Sequence, residues 1–478
     1  MARRAAGLLR RGRLLAGVLV LGLLLRVAAT VAVWPVHLTH PSYWDSLSFL
    51  LAAERGIYTD PSRTSGYPLF LRLAHAVSDE VVFTVALQHL LGLGSAALVY
   101  LAVRRLGMSS AVAAVPAAVL ALGGDGLFLE HTLLSDALFI LAISVVLYTA
   151  VRSLDPGSGR PAWLMTTGLA LGGATLVRSA GLVLVAVIGL WLALALGGRA
   201  RARLALPALT VAAALAVVGG DAVLRAANSD YAGAGPAAGR SLYARVAQFA
   251  DCDRFEPPRG TGALCEDQPP DSRPGPDYYV VDGNAPPKRL FGDPPGGDEE
   301  LRSFARAAIA GQPLEYLRAV AFDLVRYVAP HRPARPYSGL GPEVLRLGQE
   351  PAATPERVER VIASYYAPSA PSERFPLDAL DSYGAVVRGH GALLPPALAL
   401  IVAGLVLGGR RERVAIALFG GVGLALAVFP AAILSYNPRY IVPALAPLAA
   451  AAAVGVAAMA SLAGPRAGDD PRCDRRAE

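Results

Sequence analysis

The feature that most restricts this chain is a succession of apolar runs, several of them about 17–24 residues long, joined by connections alternately rich and poor in arginine. A helix rises about 1.5 Å per residue, so a run of that length covers roughly 30 Å of hydrocarbon. Ten spans are expected, near 14–35, 81–103, 109–124, 134–151, 162–178, 181–198, 204–224, 391–408, 413–431 and 440–463. Only 17% of the residues are charged, against about a quarter in soluble domains, so most of the chain is built to leave water. The predicted fold class is an all-α polytopic membrane protein.

Arginine sets the expected sidedness. The N-terminus, Arg104-Arg105, Arg152 to Arg160, Arg199 to Arg203, Arg410 to Arg413 and the tail from Arg466 fall on one side, and the short connections on the other side hold few basic residues. Positive loops stay in the cytoplasm, which puts both termini there and the intervening loops outside a cell inner (plasma) membrane. The first run follows five arginines and begins like a signal peptide. It continues through Val31 to Trp34 without a small-residue cleavage site, so an uncleaved anchor is expected. The net charge of +7 is then a topology signal, and no nucleic-acid partner is expected.

Three blocks follow. Residues 1–224 form a module of about seven spans with an outer loop at 36–80; residues 225–390 make an extracytoplasmic excursion holding more than half of the 37 prolines; residues 391–478 return as three spans and a basic tail. Within the excursion, Asp298 can cap a helix whose apolar face is Leu301, Phe304, Ala305, Ala308 and Ile309. Pro313 suits the first turn of a second helix, with Leu314, Leu317, Ala321, Leu324, Val325 and Val328 on one side and Glu315, Arg318 and Arg326 on the other. Such helices either lie on the outer leaflet or build a small core against the spans. Cys252 and Cys265 share the external segment, where a disulfide persists, and are expected to pair; Cys473 lies in the cytoplasmic tail.

The residues suited to chemistry gather at the outer mouths of the spans. Asp45 follows Tyr43 and Trp44, which as interfacial aromatics need no further role. Asp45 has two readings: a helix cap before Leu47, Leu50 and Leu51, or a carboxylate placed for catalysis. The same loop carries Arg63 and Tyr67. The second outer connection supplies Glu130, His131 and Asp136, where Asp136 opens an apolar helix and capping again competes with function. Arg178, at an apolar hairpin tip, either snorkels to water or holds an anion, and Arg439 and Tyr440 close the set. Arg26, deep in the first span, has the same two readings, with an internal carboxylate partner as a third. Zinc-type Cys/His spacing, a P-loop and a dinucleotide glycine fingerprint are all missing from the sequence. Asp251-Cys252-Asp253 is a three-residue pattern of the kind that recurs by chance.

Taken in order, Trp44-Asp45, Gly66 to Leu69, Leu134 to Phe139, Leu176 to Gly181 and Pro438 to Pro443 resemble the GT-C membrane glycosyltransferases. The resemblance is to the polyprenyl-phosphate-sugar-dependent branch, which includes protein O-mannosyltransferases and lipid A aminoarabinose transferases. It implies transfer of a sugar from a polyprenyl-phosphate donor to an acceptor hydroxyl on a glycan, lipid or protein, on the extracytoplasmic face and with inversion, with membrane lipids as the other partners. Asp45 and Asp136 are then the catalytic candidates, with Asp45 as base and its pKa raised by burial under Tyr43, Trp44 and Tyr67. Arg63, Tyr67, Glu130, His131, Arg178, Arg439 and Tyr440 are the substrate-binding candidates. Many relatives have a second acid directly after the first; here that place is Ser46, which leaves Asp136 or Glu130 to supply a partner. Some relatives use a divalent metal cation, for which Glu54, Asp60, Glu130 and His131 offer ligands. The competing reading is a lipid or glycolipid transporter without covalent chemistry. Such folds show internal repeats and midplane acids, whereas here the acids cluster at one mouth.

Overall fold

The computed structural model describes residues 2–34, 43–157, 159–196, 200–229, 231, 236–329, 345, 356–367, 372–373, 377–388 and 391–463. The first block contains α1 (Ala2–Ala32), α2 (Tyr43–Arg55), α3 (Gly66–His75), α4 (Val81–Arg105), α5 (Ser110–Leu122), α6 (Gly124–His131), α7 (Asp136–Arg152), α8 (Arg160–Val177), α9 (Gly181–Ala195) and α10 (Ala200–Asn228). The excursion adds α11 (Gly239–Ala247), α12 (Pro276–Val281), α13 (Pro286–Phe291), α14 (Asp298–Gly311), α15 (Pro313–Val328), α16 (Glu356–Tyr365) and α17 (Leu377–Val386). The chain returns through α18 (Leu394–Leu407), α19 (Arg410–Ile433) and α20 (Pro438–Ala463). A two-residue antiparallel pair, Val33–Trp34 with Ser372–Glu373, is the sheet among the described residues.

Among the described residues, six helices are long and apolar enough to cross a membrane, or seven if α5 and α6, bent 45° apart at Gly123, form one broken span. The expected ten are not reached on that measure. The runs near 134–151, 162–178 and 181–198 become helices of 17, 18 and 15 residues, and 15 residues rise only about 22 Å. Small residues let the helices approach closely. A Cβ on Gly168 of α8 would collide with the Thr210 carbonyl of α10, so glycine there sets the α8–α10 separation.

The bundle has two ends of different chemistry. α7 runs from Asp136 to Arg152, and around Arg152 lie the Arg105–Asp155 ion pair and Trp163, whose ring sits 4.5 Å from the Arg152 guanidinium. Arg411 reaches the Leu106 carbonyl at this same end. The other end, at Asp136, is roofed by α2, α3 and α16 through a cluster of Phe49, Leu50, Tyr67, Leu71, Tyr365 and Tyr366.

The excursion builds a second core from Tyr243, Tyr279, Leu301, Phe304 and Ala308, beside the Cys252–Cys265 disulfide, whose Cα atoms are 6.1 Å apart. Asp298 is not the cap of α14. Gly297, in the left-handed conformation at φ 66°, takes that place, and the Asp298 carboxylate accepts the Gly239 N–H at 2.6 Å, joining α14 to α11. The expected face of α14 packs inward. On α15 the expected faces are mixed: Leu314, Leu317 and Val325 are exposed along with Arg318; Leu324 and Val328 pack against the bundle core; and Asp323 and Arg326 are buried. Arg326 faces in, over the Tyr436 ring at 4.0 Å. The side chains of Tyr43 and Trp44, and the tail with Cys473, lie outside the described residues.

Candidate active site

Five charged side chains from five separate elements converge at the roofed end. Asp45 stands in the first turn of α2, where Ser46 donates to the Leu133 carbonyl at 3.0 Å and pins this helix to the strap before α7. The place where many relatives have a second acid is therefore a structural tie in this chain. Arg63 precedes α3, and the adjacent Thr64 hydroxyl donates to the Val177 carbonyl at 2.8 Å, which brings the loop to the end of α8. Arg178 follows as the extended residue after α8, at φ −150°. Asp136 opens α7. Arg439 opens α20, where its N–H donates to the Asn437 side chain at 3.0 Å and Pro438 leaves no amide unpaired.

The pairing is continuous. Arg63 Nη2 lies 2.6 Å from Asp45 Oδ1, and Arg439 Nη1 lies 2.8 Å from Asp45 Oδ2. Arg439 Nε also lies 3.2 Å from Asp136 Oδ2, and Arg178 pairs with Asp136 Oδ1. Three guanidiniums face two carboxylates, with Asp60 at the edge, 3.9 Å from Arg63 Nε. That Nε–H is buried without a hydrogen-bond acceptor among the described residues. The Tyr440 ring underlies Arg178 at 5.5 Å and Arg439 at 5.6 Å, a cation–π floor. Such a group is charged, partly open at Asp45 and Arg63, and suited to exchanging a carboxylate partner for a phosphate.

The electrostatics overturn one expectation. Burial does raise the Asp45 carboxyl, but Arg63 and Arg439 outweigh it and hold the group well below the usual carboxylate range. Asp45 is therefore a permanently ionised counter-ion in this state and a weak base. Tyr67 is wholly buried and donates to Gln88 Oε1 at 2.7 Å.

Glu130 and His131 are likewise not brought to Asp45. Glu130 accepts from Arg26 Nε at 2.8 Å and Nη2 at 2.7 Å, and His89 lies 3.0 Å from Glu130 and 3.2 Å from His131. This is the internal partner considered for Arg26, and Gly92 leaves the room for it, since a Cβ there would strike the Glu130 carboxylate. Both are buried in this network, at 4% and 1% exposed, apart from the Asp45 ion pairs, and Glu130 also forms part of the wall of the cavity beside the cluster. Glu54, Asp60, Glu130 and His131 do not form a ligand set. Among the described residues no group of three or more His, Cys, Asp or Glu is arranged to hold a metal ion.

Beside the charge cluster lies a largely apolar cavity of about 290 Å³, lined by Gly92, Ala137, Ile140, Val442 and Leu445, with Asp125, Glu130 and Arg388 also on its wall. Ala137 follows Asp136 directly, and Val442 lies one turn beyond Arg439. One acid at the site escaped the sequence reading. Asp277, at the start of α12, lies 3.5 Å from Ser435 in the connection that leads to Arg439. Pro276-Asp277 in a Pro/Gly-rich stretch reads as nothing more than a helix start.

A cation-rich cluster at one end of an apolar helical bundle, with a cavity beside it, defines a membrane protein equipped to hold an anion that carries a hydrocarbon part. Residues 63–220, about a third of the chain, match the family model described as dolichyl-phosphate-mannose-protein mannosyltransferase. The matched stretch contains Arg63, Asp136 and Arg178. No curated protein matches. Among solved structures, the chain is similar to the archaeal oligosaccharyltransferase AglB from Archaeoglobus fulgidus in complex with an inhibitory peptide and a dolichol-phosphate, at 14% identity and a TM-score of 0.46 over 92% of this chain and 50% of that one. The apo form of the Archaeoglobus fulgidus oligosaccharyltransferase gives 14% identity and a TM-score of 0.45 over 95% and 52%. The chain thus spans about half the length of these structures, and a likeness at this level carries no argument about function.

Proposed function

We propose that this protein is a membrane glycosyltransferase that moves a sugar from a polyprenyl-phosphate donor to an acceptor hydroxyl on the extracytoplasmic face. The observation that carries the reading is the chain Arg63–Asp45–Arg439–Asp136–Arg178. Its support from outside the site is the family match over 63–220. Mannose is the sugar to test first on that match.

In this reading the phosphodiester of the donor exchanges with Asp45 on Arg63 and Arg439, while Arg178 stays anchored by buried Asp136. The first stretch of the lipid chain enters the cavity beside Ala137. Transfer breaks the bond from the sugar C1 to the phosphate oxygen and forms one from C1 to the acceptor oxygen, with inversion. The leaving polyprenyl phosphate goes from one negative charge to two. Fixed guanidiniums therefore bind it more strongly as the bond breaks, the condition for catalysis.

The test is transfer by the full chain in liposomes containing polyprenyl-phosphate mannose labelled in the sugar. A Ser/Thr-rich peptide, a mannoside and a glycolipid serve as acceptors. Label is expected to leave the polyprenyl phosphate and appear on one acceptor. Label that crosses the bilayer with its sugar–phosphate bond intact would support the transporter reading and sink this one.

A further inference from the structure

Asp45 and Asp136 each hold two guanidiniums, so both carboxylates are already engaged within the charge cluster. Asp277 differs. It has no ion-pair partner among the described residues, and its polar contact is the Ser435 hydroxyl at 3.5 Å. Ser435 stands four residues before Arg439 in the turn that opens α20, where Asn437 accepts the Arg439 N–H at 3.0 Å, so Asp277 borders the same end of α20 as the charge cluster.

The charged groups around it are otherwise engaged. On α15, Arg326 stacks 4.0 Å from the Tyr436 ring, and Asp323 accepts the Tyr436 N–H at 3.1 Å. Arg245 of α11 pairs with Asp323, and Lys288 of α13 pairs with Asp293. Burial pushes the Asp277 carboxyl up to about 6, with Asp323 and Asp45 adding to the rise against Ser435 and Arg326. A base whose pKa lies near the working pH is both ionised and strong enough to accept a proton, which Asp45 in its arginine clamp is not.

We infer that Asp277 is the general base of the transfer, receiving the acceptor hydroxyl's proton while the acceptor oxygen bonds to the sugar C1 and the electron pair of the broken bond leaves on polyprenyl phosphate. This rests on the glycosyltransferase reading and divides the work between two parts of the chain. The bundle holds the donor through Arg63, Arg178 and Arg439. The external core, which carries α12, meets the acceptor, so acceptor choice resides in the excursion.

The experiment compares the full chain with Asp277→Asn and Asp277→Glu in liposomes holding labelled polyprenyl-phosphate mannose and the three acceptors above, with donor binding measured in parallel. Asp277→Asn is expected to bind donor like the wild type and to lose about 10²- to 10⁴-fold in turnover, with Asp277→Glu in between. Wild-type kcat/KM is expected to fall as the pH drops through about 6, because the carboxylate must be ionised to accept the proton. That profile needs no substitution, so it decides the matter if Asp277→Asn does not fold. Turnover by Asp277→Asn within about threefold of wild type, or a wild-type profile flat from about pH 5 to 8, overturns the assignment of the base alone. No turnover by the wild type with any acceptor overturns the glycosyltransferase reading and this inference with it.

Discussion

Removing Arg439 and removing Asp45 should move donor affinity in opposite directions. Arg439 is 7% exposed and spans both acids, at 2.8 Å from Asp45 and 3.2 Å from Asp136. If a donor phosphate takes the place of Asp45 on this guanidinium, Arg439→Gln loses a charged hydrogen bond to the ligand, about 1.5–3 kcal/mol, or about 10- to 150-fold in Kd. Asp45→Asn removes the anion that competes for Arg63 and Arg439, so donor binding should stay level or tighten, by up to about tenfold. Asp45 is 26% exposed, and solvent screening keeps that gain small. Equilibrium binding of labelled polyprenyl-phosphate mannose to the reconstituted variants reads both effects. A loss in Asp45→Asn as large as that in Arg439→Gln would falsify the exchange. It would mean that Asp45 contacts the donor itself or that the cluster acts only as a structural pin.

Two further outcomes concern stability. Cys252→Ser should destabilise the external core by about 2–4 kcal/mol, because the bridge closes a loop over a sequence separation of 13; protease cleavage within 243–308 under matched conditions checks it. Arg26→Leu should cost about 3–5 kcal/mol by leaving Glu130 ionised and buried, and adding Glu130→Gln should recover part of the loss, both read as melting temperature in detergent.

The elements follow closely from the sequence because hydrophobic length alone dictates them. The apolar runs become α1, α4, α5, α7 to α10 and α18 to α20, and Asp136 and Arg439 open helices because an acid or a proline there suits a first turn. Asp45, Arg63, Asp136, Arg178 and Arg439 are legible as a set through their type and their placement at one end of the spans. Their partners are not. Glu130 and Asp136 stand six residues apart in one outer connection, yet the short helix α6 ends between them. One carboxylate therefore turns inward to Arg26 and the other outward to Arg178. The sequence records that both are acids near a membrane edge and contains nothing about which way the intervening turn faces.

Basicity is hidden for the same reason. Residue type sets only the unperturbed pKa, and the number of guanidiniums that folding places around a carboxylate sets the rest. Asp45 reads from sequence as the natural base because it stands beside aromatics at a membrane surface. In the fold it meets two arginines drawn from residues 63 and 439, one close in sequence and one nearly 400 positions away, and becomes their counter-ion. Nothing in the sequence singles out Asp277, but folding half-buries it beside Ser435 with no ion-pair partner among the described residues, so it keeps the basicity that Asp45 gives up. On the proposed function, a site that holds a phosphate needs its arginines matched by acids when empty, and Asp45, matched in this way, is the wrong one to accept a proton. The proposed base therefore lies outside the arginine cluster, in the external core that carries α12.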